Sequence, residues 1–113
     1  MQKFRPIQRQ WKYLPDQLRP SEVRQILDVL GINWQTRHVK NNGQVKICSP
    51  FREDRNPSFS LNINKGLFKD FAYPEIKGDI VSLVMLVNKC SRLKAEQWIV
   101  NTLNLNSKIN LYI

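Results

Sequence analysis

The segment that most constrains the fold of this chain is an apolar run at residues 80–87, Ile-Val-Ser-Leu-Val-Met-Leu-Val. As a helix it presents apolar side chains on nearly every side, which predicts that it is buried. The run is interrupted by Ser82 and is too short to span a bilayer. A chain of 113 residues has the length of one domain, and a hydrophobic content of 42% is enough for a modest core.

Two further helices are predicted, one before and one after the middle of the chain. Ser21 is a candidate N-cap, and the apolar residues after it follow helical spacing until Gly31, a residue type that commonly ends helices. Gly78 and Asp79 precede the apolar run, and Ser91 is a candidate N-cap for the last helix. The apolar stripes are Val23, Ile26, Leu27 and Leu30 in the first helix and Ala95, Trp98, Ile99 and Leu103 in the last.

Four short extended segments between these helices predict an antiparallel sheet. Asn41-Asn42-Gly43 joins the first two, and an Asn-Gly pair tolerates the positive φ angles of a tight hairpin turn. A loop at residues 49–57 follows the second segment, and a turn at Asn64-Lys65-Gly66 joins the last two. The prediction is one α+β domain, with a small antiparallel sheet flanked by an N-terminal helix and a C-terminal helix pair. The extended segments are residues 33–39, 44–48, 58–62 and 67–71.

The predicted domain is bounded by two terminal segments. Residues 1–19 form a basic arm in which Trp11 and Tyr13 lie among the cations. Residues 20–103 contain the predicted helices and strands. Residues 104–113 are an Asn-rich tail with alternating apolar residues, which predicts an edge strand or a docked extension.

The net charge of +9 indicates a polyanionic partner, because excess Lys and Arg repel one another unless they are neutralised. Nucleic acid is the usual partner of a soluble basic domain. An anionic membrane surface, or a basic pI that only aids solubility, remains an alternative at this point.

Cysteine usage and the N-terminus indicate the cytoplasm. Cys48 and Cys90 lie far apart in sequence and nothing indicates an oxidising compartment, so we expect two buried free thiols. The basic N-terminus is not followed by the apolar segment of a secretory signal.

Two segments in the middle of the chain carry an ordered set of motifs. The first is Ser49-Pro50-Phe51-Arg52 followed by Asn56-Pro57-Ser58-Phe59, and the second is Phe68-Lys69-Asp70-Phe71-Ala72-Tyr73 followed by Lys77-Gly78-Asp79. In order and spacing they resemble the CHC-type zinc ribbon at the N-terminus of bacterial DNA primases, with its Cys-Pro-Phe-His, Thr-Pro-Ser-Phe, Phe-x-Cys-x-x-Cys and Gly-Gly-Asp. The resemblance covers about residues 21–103 and implies a ribbon that contacts single-stranded template DNA.

The four positions that hold the zinc ligands in that family are Ser49, Arg52, Asp70 and Tyr73 here. Serine and tyrosine are poor zinc ligands and arginine is none, so we expect neither a metal nor a cofactor. If the four positions still converge, an Arg52–Asp70 ion pair with Tyr73 packed over it replaces the metal. The Ser49 hydroxyl is expected to be hydrogen-bonded nearby. The alternative is that all four are solvated loop side chains.

Motif content predicts a protein that is not an enzyme. The sequence contains no Asp-x-Asp pair, no Gly-rich phosphate loop and no Ser/His/Asp constellation. We predict single-stranded DNA binding in replication, for a phage, plasmid or other mobile element, beside a separate primase, polymerase or helicase. The alternative is a protein-interaction module that docks on or inhibits such a machine without binding DNA. Duplex binding ranks last, because no predicted helix carries on its exposed face the basic and amide residues expected of a recognition helix.

The predicted contacts are cations for phosphates and an exposed ring for bases. Trp34 is the candidate stacking residue. Clustering of the cations around one predicted sheet, rather than any single one, indicates a site. The candidate residues are Trp34, Arg37, Lys40, Lys46, Arg52, Arg55, Lys65, Lys69 and Lys77.

Overall fold

The fold, in a computed structural model that describes residues 14–53 and 56–103, is an open antiparallel sheet with helices before and after it. The strand order is β1-β2-β3-β4, so every strand pairs with its neighbour in sequence. The predicted α+β class is confirmed. Residues 1–13 of the predicted arm and the predicted tail 104–113 lie outside the described residues. The elements are α1 (Pro20–Val29), β1 (Gln44–Ile47), β2 (Phe59–Asn62), β3 (Leu67–Asp70), β4 (Lys77–Asp79), α2 (Ile80–Asn88) and α3 (Arg92–Thr102).

The apolar run forms α2, as predicted, and its burial organises the core. The Asp79 carboxylate caps the helix by accepting a 2.8 Å hydrogen bond from the backbone N–H of Ser82. Lys89 ends it in the left-handed conformation, with φ at 55°. Helix α2 packs against α3, β3 and β4, and against a 3-10 turn at Leu14–Gln17. Its buried side chains are Ile80, Val81, Leu83 and Val84.

The two other helices begin in different ways. Ser91 caps α3 as predicted, by accepting a hydrogen bond from the backbone N–H of Lys94. The predicted cap of α1 at Ser21 is wrong, because Arg19 occupies the N-cap and Pro20 opens the helix. Proline has no N–H to leave unsatisfied in the first turn, and its φ angle is already helical. The Glu22 carboxylate accepts a 2.8 Å hydrogen bond from the backbone N–H of Arg19 instead.

The inner face of the sheet is apolar and meets the helices. Its register places Leu61 opposite both Val45 and Phe68, and it places Phe59 opposite both Ile47 and Asp70. Phe59 and Leu61 therefore share the inner face of the sheet. Phe59 is stacked on Phe68 with ring centroids 5.6 Å apart. Asp70 is the charged residue on this apolar face.

The fourth strand is not the predicted one. Residues 33–39 contain a 3-10 turn at Thr36–His38 and are mostly exposed, so they offer no apolar face to the core. Strand β4 instead pairs with β3, with Gly78 opposite Phe68. A Cβ at Gly78 would lie 2.7 Å from the Cβ of Ser82, so glycine is required there. A three-residue Lys-Gly-Asp strand lacks the apolar alternation that identifies strands in a sequence.

Candidate nucleic-acid interface

Three lysines form a row across the outer face of the sheet. The register places Lys46 of β1 opposite Ser60, Ser60 opposite Lys69 of β3, and Lys69 opposite Lys77 of β4. Residues that are directly opposite one another project to the same side of a sheet, so the row is contiguous over all four strands. All three lysines are exposed. The outer face is therefore a positively charged strip, opposite in character to the inner face.

Phe71 places an aromatic ring in contact with the ammonium groups of two of these lysines. It follows β3 two residues after Lys69 and continues the outward alternation of that strand. The Nζ atoms of Lys46 and Lys69 lie 5.5 and 5.6 Å from the centroid of its ring. The side chain is 54% exposed. Sequence reasoning missed this residue, although extending the alternation of Leu67 and Lys69 by one step identifies it.

Polar side chains form the floor of this face. Gln44 donates a hydrogen bond from Nε2 to the Ser60 hydroxyl, and its Oε1 accepts a 3.1 Å bond from Asn62 Nδ2. The Asn62 Oδ1 atom accepts a 2.9 Å bond from the backbone N–H of Lys65. These contacts fix a polar ladder beneath the lysines. An open groove of about 680 Å³ runs over it, lined by Gln44, Ser60, Asn62, Lys65, Leu67, Lys69, Phe71 and Lys77 among others.

Trp34, Arg37 and Lys40 were also predicted to bind nucleic acid, but they do not line this groove. Trp34 is half-buried, donates from Nε1 to Asp28 at 2.8 Å, and lies 5.9 Å from the Arg24 guanidinium, so it packs beside α1 and does not line the groove. Arg37 and Lys40 are exposed before β1 and do not line the groove either. Arg55 lies outside the described residues. Their predicted contacts with nucleic acid stay predictions.

Arg52 joins the two motif segments through a bidentate ion pair, which confirms the predicted pairing. Its Nη1 lies 2.5 Å from Asp70 Oδ2, and its Nη2 donates to Asp70 Oδ1 at 3.1 Å and to the Ser58 hydroxyl at 3.0 Å. The Tyr73 ring packs over the guanidinium, 4.6 Å from centroid to Cζ, as predicted. The Ser49 hydroxyl accepts from the backbone N–H of Phe51 at 3.1 Å. We call Arg52, Ser58, Asp70 and Tyr73 the guanidinium cluster.

Asp70 is the centre of the guanidinium cluster. Its side chain is 0% exposed, and Oδ1 also accepts from the backbone N–H groups of Ala72 at 2.9 Å and Tyr73 at 3.2 Å. The hydrogen bond from Arg52 holds the pKa of Asp70 below its ordinary value, the two backbone N–H groups act in the same direction, and burial opposes them. The Asp70 carboxylate is therefore ionised at neutral pH, and its negative charge is compensated by the single guanidinium of Arg52.

The former ligand positions do not fit a zinc ion. Asp70 is the one residue among them with an ordinary zinc-ligand side chain, and its oxygens already accept hydrogen bonds from Arg52, Ala72 and Tyr73. Among residues 14–53 and 56–103, no group of three or more His, Cys, Asp or Glu side chains is placed to hold a metal. The thiols of Cys48 and Cys90 are both free, as predicted, but the prediction that both are buried is wrong, because Cys48 is exposed and Cys90 is only partly buried.

Fold, charge and motif order together define a small ribbon-like α+β domain with one strongly basic sheet face. The chain belongs to the CHC2 zinc-finger family, the zinc ribbon of DnaG, whose model matches residues 16–112. The resemblance to the primase zinc ribbon is thereby confirmed. Searches of curated proteins and of solved structures found no significant match. Within the described residues, no helix is long and apolar enough to cross a membrane.

Proposed function

We propose that this domain binds single-stranded DNA across the outer face of its sheet and catalyses no reaction itself. The row of Lys46, Lys69 and Lys77, with the exposed Phe71 ring in contact with the ammonium groups of the first two, carries this proposal. Proteins that bind single strands combine cations that follow the phosphates with rings on which bases stack. Membership of the CHC2 family supports a role with nucleic acid.

The geometry suggests how one nucleotide is held. The ammonium groups of Lys46 and Lys69 lie over the Phe71 ring within 6 Å of its centroid, so a base that stacks on this ring takes the place of an ammonium group there. The phosphates on either side of that base then meet these two cations. Lys65 and Lys77 line the groove together with Lys69 and Phe71, and they extend the positive track to neighbouring phosphates. Lys and Arg supply this affinity through counterion release, independently of sequence.

Single strands fit this face better than duplex. A ring such as Phe71 stacks only on a base whose face is exposed, and bases in a duplex are covered by their neighbours. The amides of Gln44 and Asn62, which would otherwise read base edges, are engaged with Ser60, with each other and with the backbone of Lys65. We therefore expect little preference among base sequences.

The DNA held here is proposed to serve a primase, polymerase or helicase whose active site lies elsewhere. The resemblance to the primase ribbon supports this, because in that family the domain positions template for a separate catalytic domain. Docking on such a machine without DNA is the competing function. The apolar groove between α1 and the end of α2, with Leu30, Phe51 and Leu86 on its wall, is the surface available for it.

A titration of fluorescent single-stranded DNA at several salt concentrations tests the proposal. We expect anisotropy to rise with protein concentration, and a duplex of the same sequence to bind more weakly. Four lysines that each neutralise one phosphate give a slope of about −3 in log K against log salt, at about 0.7 per phosphate on single strands. Absence of binding below roughly 100 μM at low salt, weaker than ordinary non-specific affinity, would favour the docking function instead.

A further inference from the structure

The Arg52 guanidinium of the cluster lies among the positions from which the family's ribbon holds zinc. The cluster draws on the loop between β1 and β2 through Arg52 and Ser58, on the end of β3 through Asp70, and on the next loop through Tyr73. These are the same two loops from which the family takes its metal ligands. The Arg52 side chain, with its planar fork of donors, therefore connects the two loops that a zinc ion connects in the family's ribbon.

We infer that this domain folds without zinc and excludes it, with the Arg52 guanidinium as a permanent internal replacement. A divalent ion at this position would lie beside a guanidinium that cannot lose its proton, so the two cations would repel each other. The Ser49 hydroxyl and the Tyr73 phenol are weak ligands for zinc. Asp70 would have to give up the hydrogen bonds from Arg52 to bind it.

The cluster also supports the proposed DNA-binding face, from the opposite side of the sheet. Asp70 and Ala72 flank Phe71 in sequence, and the Asp70 carboxylate accepts from the backbone N–H of Ala72. The backbone N–H of Phe71 donates to the Ser58 carbonyl at 2.9 Å, and the hydroxyl of the same serine accepts from Arg52. The segment that presents the Phe71 ring is thus fixed at both ends by contacts that need no metal.

The test is made on the full chain and needs no DNA, so its failure is distinct from failure of the proposed function. Zinc is measured by mass spectrometry on protein purified from zinc-supplemented culture, and thermal unfolding is followed with and without EDTA. We expect well under one zinc per chain and no change in Tm. In zinc-finger peptides the metal is worth about 10–16 kcal/mol, so a zinc-dependent fold would be lost on chelation. Stoichiometric zinc, or unfolding by EDTA, would overturn the inference.

A rebuilt site provides the matched control. Ser49→Cys, Arg52→His, Asp70→Cys and Tyr73→Cys together restore the family's ligand set on this backbone. We expect the variant to bind one zinc and to unfold on chelation, whereas the parent chain does neither. A rebuilt variant that takes up no more zinc than the parent would show that the four positions do not converge as a metal site, and would contradict the inference.

Discussion

Replacing Arg52 with alanine is expected to lower the free energy of unfolding by about 2–4 kcal/mol, because removing one partner leaves a buried charge uncompensated. Asp70 is 0% exposed and would keep only the hydrogen bonds from the backbone N–H groups of Ala72 and Tyr73. Because Arg52 is 22% exposed, water can partly replace it, and the loss falls below that of a fully enclosed pair. Urea unfolding followed by circular dichroism measures the difference.

Arg37→Ala is the matched control, because it removes the same side chain and the same charge from an exposed position. We expect this variant to change stability by no more than about 0.5 kcal/mol. Arg52→Lys keeps the charge but not the fork of donors, so its stability should fall between those of the parent and Arg52→Ala. Equal stability of Arg52→Ala and Arg37→Ala would show that the ion pair does not hold the loops together.

Acid unfolding provides an independent check on the same pair. The pKa of Asp70 is lower in the folded chain than its ordinary value of 3.8, chiefly through the hydrogen bond from Arg52. A group with a lowered folded pKa contributes stability that is present above its unfolded pKa and is lost as the pH falls through the folded pKa. The contribution of Asp70 is therefore complete at neutral pH and disappears only below 3.8. Arg52→Ala should weaken this acid-dependent loss, whereas Arg37→Ala should leave it unchanged.

Reversing the charge of Lys46 and Lys69 together is expected to weaken single-stranded DNA binding on the order of 100-fold at low salt, since two phosphate contacts are lost and replaced by repulsion. The slope of log K against log salt should become shallower by about 1.4, at about 0.7 for each phosphate. Both changes follow from the position of these lysines in the row and within 6 Å of the centroid of the Phe71 ring. The salt-dependent anisotropy titration measures affinity and slope in the same experiment.

Arg37→Glu with Lys40→Glu is the matched control, because it changes the net charge equally at exposed positions that do not line the groove. If the two double variants bind equally weakly, net charge alone explains binding and the sheet face is not the site.

Phe71→Ala separates the contribution of stacking from that of charge. It should weaken binding by roughly 5- to 150-fold, from about 1–3 kcal/mol for each stacked base, while the salt slope stays unchanged.

Three members of the guanidinium cluster, Arg52, Asp70 and Tyr73, were predictable because two ordered motifs align their positions. Once Ser49, Arg52, Asp70 and Tyr73 are aligned on one ligand pattern, the chemistry of arginine and aspartate predicts their pairing. Most of the cluster's other contacts were not predictable. The Ser58 hydroxyl and the backbone N–H groups that Asp70 accepts from depend on the conformation of the two loops.

The binding face was predictable only in part, since charge alone does not assign residues to faces. Lys77 joins Lys46 and Lys69 on this face because β4 pairs with β3, and that strand was missed in favour of residues 33–39. Without the register of β4 with β3, the sequence gives no reason to place Lys77 in the row. Trp34 was chosen for stacking by residue type, but whether a ring is exposed depends on packing, and it is Phe71 that remains exposed on the sheet.

The most direct test of the proposed binding face is an amide-resolved NMR titration of the isotope-labelled chain with a short oligothymidine in the presence of EDTA. We expect the amide signals of Lys46, Ser60, Lys69 and Phe71 to shift as DNA is added, while those of α3 on the other side of the core do not. The spectrum should be that of a folded domain throughout, because no metal is needed. Shifts confined to the segment around Trp34 or to the apolar groove beside Leu86, with the sheet signals unchanged, would contradict it.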